Sequence, residues 1–202
     1  MTTFICSHSL RARTLGWLAA VAFMSLAVDA SGQTVTQWQR GGLLGGFVGA
    51  GSTSSETLAA AGTTLGWELL PHFTIEGRGT WFRRQDNVPA DFSAQIGAQI
   101  PLLPRAAVVP YVLGGVGMYR ATVEPGSDVP AFYLDRMPPG SAREIFQDVT
   151  LVFGGGVDVF LNTHLAIRPE VTFPVIMSGS DHLTKAIWGV HVAYHFEEHG
   201  TP

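Results

Sequence analysis

Lysine is almost missing from this chain of 202 residues; Lys185 stands alone beside eleven arginines. Charged residues of both signs reach only 14%, where a water-facing surface normally carries about a quarter. Cysteine occurs once, as Cys6, ahead of the first apolar run, so no thiol follows that run to form a disulfide, act as a nucleophile or take a lipid. After the first thirty residues there is no apolar run long enough for a membrane-crossing helix. Low charge without a helical span points to strands that close on themselves.

The N-terminus carries Arg11 and Arg13, then the apolar run Thr14–Val28, then Val28-Asp29-Ala30, a small-x-small cleavage pattern. This order predicts a secretory signal peptide over residues 1–30. Removing it takes away Arg11, Arg13 and Asp29 and leaves ten basic and fifteen acidic residues, a net charge of −5. Such a balance offers no footprint for nucleic acid. Residues 31–40 are polar and predict a short periplasmic lead-in.

What the chain does have is alternation. In Ala186–Phe196, Trp188, Val190, Val192, Tyr194 and Phe196 share one face, and Ile187, Gly189, His191, Ala193 and His195 the other. Aromatics sit towards the ends of the apolar row. The same two-sided pattern recurs over Gly41–Gly51, Thr57–Leu69, His72–Phe82, Asp91–Ile100, Ala107–Thr122, Gln147–Phe160 and His164–Phe173, which makes eight predicted strands. The connections alternate as well. Those at Leu69–Pro71, Pro101–Ala106 and Leu161–Thr163 are short, while Gly51–Glu56, Arg83–Ala90, Val123–Phe146 and Pro174–Lys185 are mostly longer and polar. An up-and-down barrel puts successive connections at opposite rims, and outer-membrane barrels have short periplasmic turns and longer extracellular loops. Both termini then lie in the periplasm.

Alternation does not say which face is inside. A soluble barrel is apolar within, a membrane barrel apolar without. The polar faces here carry many Gly, Ala, Ser and Thr residues and few charges, a poor surface for water. Their charges come in both signs, as a lumen that pairs them requires. Large aromatics (Trp67, Phe73, Trp81, Phe92, Phe173, Trp188, Tyr194, Phe196) fall mainly near strand ends on the apolar face, where interfacial girdles belong. The fold expected is all-β, an eight-stranded antiparallel up-and-down transmembrane β-barrel over residues 41–196, with a C-terminal tail at 197–202.

With its signal peptide, eight alternating strands, Pro110-Tyr111 followed by Gly114-Gly115-Val116-Gly117, Arg168-Pro169-Glu170 and an aromatic-ended last strand, the chain resembles the small eight-stranded outer-membrane barrels, the OmpA-like and OmpX/OmpW-like domains. The resemblance implies residence in the outer membrane, contact with its lipid, and delivery by the barrel assembly machinery. That machinery reads a terminal aromatic in this class; here Phe196 is followed by Glu197–Pro202.

The candidate site is a lumen charge network of Glu68, Glu76, Arg78, Asp158, Arg168, Glu170 and His191. Matching polar faces across the last hairpin brings Arg168 near His191 and His164 near His195. Such a network either plugs the lumen or gates a small pore; an eight-stranded interior is just filled by side chains, which favours the plug. The loop at 123–146, with Phe132, Tyr133, Leu134 and Met137, is the candidate contact surface for an extracellular partner. His72, His164, His195 and His199 gather at the periplasmic end without the spacing of a metal site. Ser178, Ser180, Asp181 and His182 share one outer loop, where adjacent residues do not converge as a triad must. No cofactor or catalytic residue is called for. The function expected is a non-enzymatic envelope or adhesion protein. The alternatives are a soluble secreted barrel binding an apolar ligand, an outer-membrane lipid-modifying enzyme, and a small gated pore.

Overall fold

Every second side chain along each strand turns inward, and this decides the architecture. The computed structural model describes residues 40–53, 56–70, 72–83, 91–103, 106–124 and 130–197. The predicted signal peptide at 1–30, the lead-in up to residue 39, residues 84–90 of the second long connection and the tail from 198 lie outside the described residues. The strands are β1 (Arg40–Ser52), β2 (Thr57–Leu70), β3 (Phe73–Arg83), β4 (Asp91–Pro101), β5 (Val108–Val123), β6 (Glu144–Phe160), β7 (Leu165–Ser178), β8 (Asp181–Thr184) and β9 (Ala186–Glu197), with one helical turn, α1 (Ala131–Leu134), between β5 and β6.

All pairings are antiparallel. β1 through β7 follow one another around the wall, and β9 joins β7 to β1, closing the sheet. β8 and β9 form a single stave. β7 pairs through residues 165–172 with β9 and through 175–178 with β8, and the amide of Lys185 between them still donates to the Pro174 carbonyl at 3.0 Å. The ring therefore has eight staves. Closure pairs the edges that an open sheet would leave bare in hydrocarbon.

Two predicted loops are shorter than the sequence suggests. Pro174–Lys185 is mostly strand: β7 runs on to Ser178, turns at Gly179-Ser180 and returns as β8. Its Ser, Asp and His residues look like a loop because a rim hairpin projecting into water needs no apolar face. Gly179 takes a φ of 60°, which L side chains rarely adopt. Likewise β5 and β6 stay paired out to Val123 and Glu144, beyond the predicted strand ends at Thr122 and Gln147. Within the shortened connection, Pro130 leads into α1.

The apolar face is outside. Leu44, Leu65, Ile96, Val116, Val149 and Val192 all project outward and are exposed, Val48 and Leu65 by more than 60%. Trp67, Tyr194 and Phe196 lie towards the short-turn rim of this belt, and Trp81 and Trp188 towards the long-loop rim. On β3 the belt runs from Phe73 to Trp81. Eight steps of about 3.3 Å, tilted by about 40°, rise roughly 20 Å, close to the height of a transmembrane barrel's apolar band.

The wall is thinned where glycines face each other across strands. Gly97 of β4 pairs with Gly115 of β5. A Cβ on Gly115 would sit 2.5 Å from the Ile96 carbonyl oxygen and 2.8 Å from the Gly97 Cα, so only glycine permits this approach.

Candidate functional site

Inside the wall, polar side chains from six staves meet, most of them in the half of the barrel nearer the short turns. β3 contributes Glu76 and Arg78, which lie two residues apart and so point the same way. β7 contributes Arg168 and Glu170 by the same spacing. Tyr111 of β5, Asp158 of β6, Gln99 of β4 and His191 of β9 complete the group. In the ring of eight, β3 and β7 lie four staves apart, on opposite sides of the lumen.

Two of the ion pairs, Arg168–Glu76 and Arg78–Glu170, cross that full width. Arg168 donates through Nε to Asp158 Oδ1 at 2.5 Å and through Nη2 to Oδ2 at 3.3 Å, while its Nη1 reaches across to Glu76 Oε1 at 2.7 Å. Arg78 donates through Nη2 to Glu76 Oε2 at 2.8 Å and to Glu170 Oε2 at 2.8 Å, and its Nη1 also bonds Glu170 Oε1. The Tyr111 hydroxyl donates to Glu170 Oε2 at 2.6 Å. Gln99 Nε2 donates to Asp158 Oδ2 at 3.2 Å. His191 Nε2 stands 3.5 Å from Glu170 Oε1, and Phe47 packs on its imidazole at 4.7 Å between ring centres. The register sets Arg168 directly beside His191 across the β7–β9 ladder. The Arg168 guanidinium also lies over the Tyr111 ring, 5.0 Å from its centre.

Three carboxylates (Glu76, Asp158, Glu170) thus face two guanidiniums and one imidazole. All three carboxylates and Arg168 are buried to 95% or more. Burying unpaired charges at this depth would cost several kcal/mol each, and the crossed pairing offsets that cost. Beside the network lie two cavities of about 20 Å³ each, one against Gln95 and Gly97, the other against Thr64 and His191. Each has room for about one water molecule. Glu68 lies on the inner face of β2, where its register partner is Thr74, nearer the short-turn rim.

A second charged group, which sequence reasoning missed, closes the long-loop end. Lys185 is fully buried. Its Nζ donates to the Tyr119 hydroxyl at 2.6 Å, lies 3.5 Å from Glu56 Oε1 and 4.0 Å from Asp91 Oδ2, and sits against the rings of Phe82 and Tyr119. Asp91 also accepts from the Tyr119 hydroxyl at 2.8 Å and from the Thr122 amide at 3.1 Å. The signal was present in the sequence as a single lysine amid strand residues, but it fell in a stretch that reads as loop.

The connection carrying α1 folds back over this end. Tyr133 is fully buried in the apolar cluster with Val123 and Ile176; Phe132 and Met137 pack partly buried against it. Of the four residues predicted as a contact surface, Leu134 is the exposed one. Tyr133 faces inward because α1 places its ring on Phe146, 5.4 Å away. Arg136 ties the connection to the wall with two bonds to Asp148, at 2.9 and 2.8 Å.

As the matching of polar faces predicted, His164 and His195 come together; the other predicted groups form no site. The His195 amide donates to the His164 carbonyl at 2.7 Å, and the His164 ring stacks on Tyr194. Among the described residues no three His, Cys, Asp or Glu side chains are arranged to hold a metal ion; His199 lies outside them. Ser178 pairs with Asp181, and Met177 with His182, across the β7–β8 turn. Asp181 and His182 are consecutive in a strand and so point to opposite faces.

The chain matches the family model described as "Outer membrane protein beta-barrel domain" over residues 17–196. Among solved structures it is similar to the N-terminal β-barrel domain of Pseudomonas aeruginosa OprF, at 13% identity, covering 79% of this chain and 100% of that one with a TM-score of 0.59. It is similar to Neisserial surface protein A at 12% identity, 78% and 97% coverage and a TM-score of 0.57. The outer membrane protein OprG of Pseudomonas aeruginosa matches at 13% identity, 81% and 100% coverage and a TM-score of 0.51. At these identities the likeness shows the fold alone. No curated protein matches the chain.

Proposed function

Because this chain belongs to the outer-membrane β-barrel family and resides in the outer membrane, we propose that it is a non-enzymatic envelope protein whose lumen is sealed by its own ions and whose outer end carries contacts to other surfaces. The observation that carries this reading is the crossing of the lumen by Arg168–Glu76 and Arg78–Glu170, which join opposite walls. A solute passing through would have to part both links and leave buried charges unpaired. The small size of the two cavities beside the network supports the same reading.

Sealed in this way, the barrel serves as a rigid membrane-bound platform, and its activity belongs to the long-loop end. Rigid scaffolds present binding segments in this manner. Envelope structure or adhesion through these loops is the role that fits, with exposed Leu134 and the β7–β8 hairpin as the described parts that project. The test is conductance of the purified full chain in planar lipid bilayers. The expected record is flat, without discrete steps. Steady currents that change in the Arg168→Met variant would overturn the sealed lumen in favour of a gated pore.

A further inference from the structure

Two arginines break the rule that the outer wall is apolar. Arg83, at the end of β3, follows fully buried Phe82; Arg120, in β5, lies between buried Tyr119 and Ala121. Alternation turns both guanidiniums outward, and both side chains are exposed. Among the described residues neither has a hydrogen-bond or ion-pair partner. By contrast, Arg136 and Arg143, nearby in the connection, are each paired, with Asp148 and Glu124.

Their height on the barrel is specific. The register aligns Trp81 with Phe92 and Phe92 with Arg120 in one row, and Arg83 lies two residues further towards the long loops. On β5 that row ends the apolar belt, since below Arg120 on the same face come Met118 and Val116, both exposed; on β6 the exposed Ile145 lies two residues further out than Gln147, the register partner of Arg120. The long-loop rim faces the cell exterior. Both guanidiniums therefore stand where outer-leaflet acyl chains give way to headgroups. At the opposite rim, the outward positions among the described residues are apolar, as at Leu69, Ile100 and Phe196.

The two arginines are two staves and two residues apart. Strand spacing of about 4.8 Å and a rise of about 3.3 Å per residue put their Cα atoms roughly 12 Å apart, within the combined reach of two arginine side chains. Between and below them lie the rings of Trp81 and Phe92, in contact at 5.3 Å. An unpaired guanidinium at a lipid boundary is costly unless an anion meets it, and its planar fork matches a phosphoryl group with two hydrogen bonds.

We propose that Arg83 and Arg120 form an anchoring site for the phosphoryl groups of a phosphorylated outer-leaflet glycolipid, with Trp81 and Phe92 flanking its upper acyl chains. This site is on the lipid-facing wall and involves no residue of the lumen, so it stands or falls independently of the conductance result.

The test is native mass spectrometry of the full chain in detergent micelles, titrated with bisphosphorylated lipid A, with the same lipid stripped of phosphate, and with inorganic phosphate. Wild type should retain bisphosphorylated lipid A, and the Arg83→Gln/Arg120→Gln variant should bind it about tenfold or more weakly. The stripped lipid should bind wild type as weakly as it binds the variant. Arg143→Gln, which removes an exposed arginine already paired to Glu124, should change nothing. Unchanged affinity in the double variant overturns the proposal, and so does an equal loss in Arg143→Gln. Displacement of the lipid by millimolar inorganic phosphate would assign the site to a free anion and overturn the lipid. Heat-dependent gel mobility checks folding. Should the double variant fail to fold, the single variants decide: a loss in each supports the site, and wild-type affinity in both refutes it.

Discussion

Replacing Arg168 by Met removes the link that joins β7 to both Asp158 and Glu76 while keeping an unbranched apolar chain in its place. Arg168 is 99% buried and makes three hydrogen bonds to the two carboxylates, at 2.5, 3.3 and 2.7 Å. After the change Glu76 keeps Arg78, at 2.8 Å, whereas Asp158 loses its guanidinium and keeps the neutral Gln99 amide at 3.2 Å. Breaking a buried pair by removing one member costs about 3–5 kcal/mol, because the remaining charge stays desolvated. At about 1.4 kcal/mol per factor of ten, this lowers the folded-to-unfolded ratio by roughly two to four orders of magnitude. Urea titration of the barrel refolded in lipid vesicles, followed by tryptophan fluorescence, would measure it. The closing arm is a double-mutant cycle with Asp158→Leu. If Arg168 and Asp158 act as a pair, the second change should cost far less in the Arg168→Met background than alone, with a coupling of at least about 1 kcal/mol. A loss below about 1 kcal/mol for Arg168→Met, or strict additivity in the cycle, would refute the reasoning that these charges hold the lumen together.

Three further outcomes follow from the same contacts. Tyr111→Phe deletes the hydroxyl that donates to Glu170 at 2.6 Å and should cost about 1.5–3 kcal/mol in the same titration, as expected for a bond to a charged acceptor. Lys185→Met removes the buried ammonium that lies 3.5 Å from Glu56 and 4.0 Å from Asp91 and donates to Tyr119; it should destabilise the barrel by more than about 2 kcal/mol and raise the rate of proteolytic cleavage at the long-loop end. Gly115→Val places a Cβ 2.5 Å from the Ile96 carbonyl oxygen; it should prevent closure between β4 and β5, so that unboiled and boiled samples run alike on a gel.

The strands were legible because alternation is local. Trp188, Val190 and Val192 declare an outward face without reference to any other strand, and the lengths of the connections order the staves around the ring. The placing of Arg168 opposite His191 was also within reach, since those strands join through one hairpin and their polar faces must match. The β7–β8 hairpin was not legible: Ser178, Gly179, Ser180 and Asp181 have loop composition, and only their pairing makes them strand. Tyr133 misled for a related reason. An aromatic in a Pro-rich connection reads as a surface residue until the helical turn that aims it into the barrel mouth is known.

By itself, then, the sequence determined which faces are apolar and how many staves there are, because each of these follows from residues close together in the chain. Only the tertiary structure decided that Glu76 meets Arg168 and that Arg78 meets Glu170. Each of these partners lies 92 residues from the other, and they meet because closing the ring brings β3 opposite β7. It also decided that the single lysine is sealed among Tyr119, Phe82 and Asp91, and that Arg83 and Arg120 stand together on the outer wall. Closure sets these distances, and no local pattern records how a sheet closes.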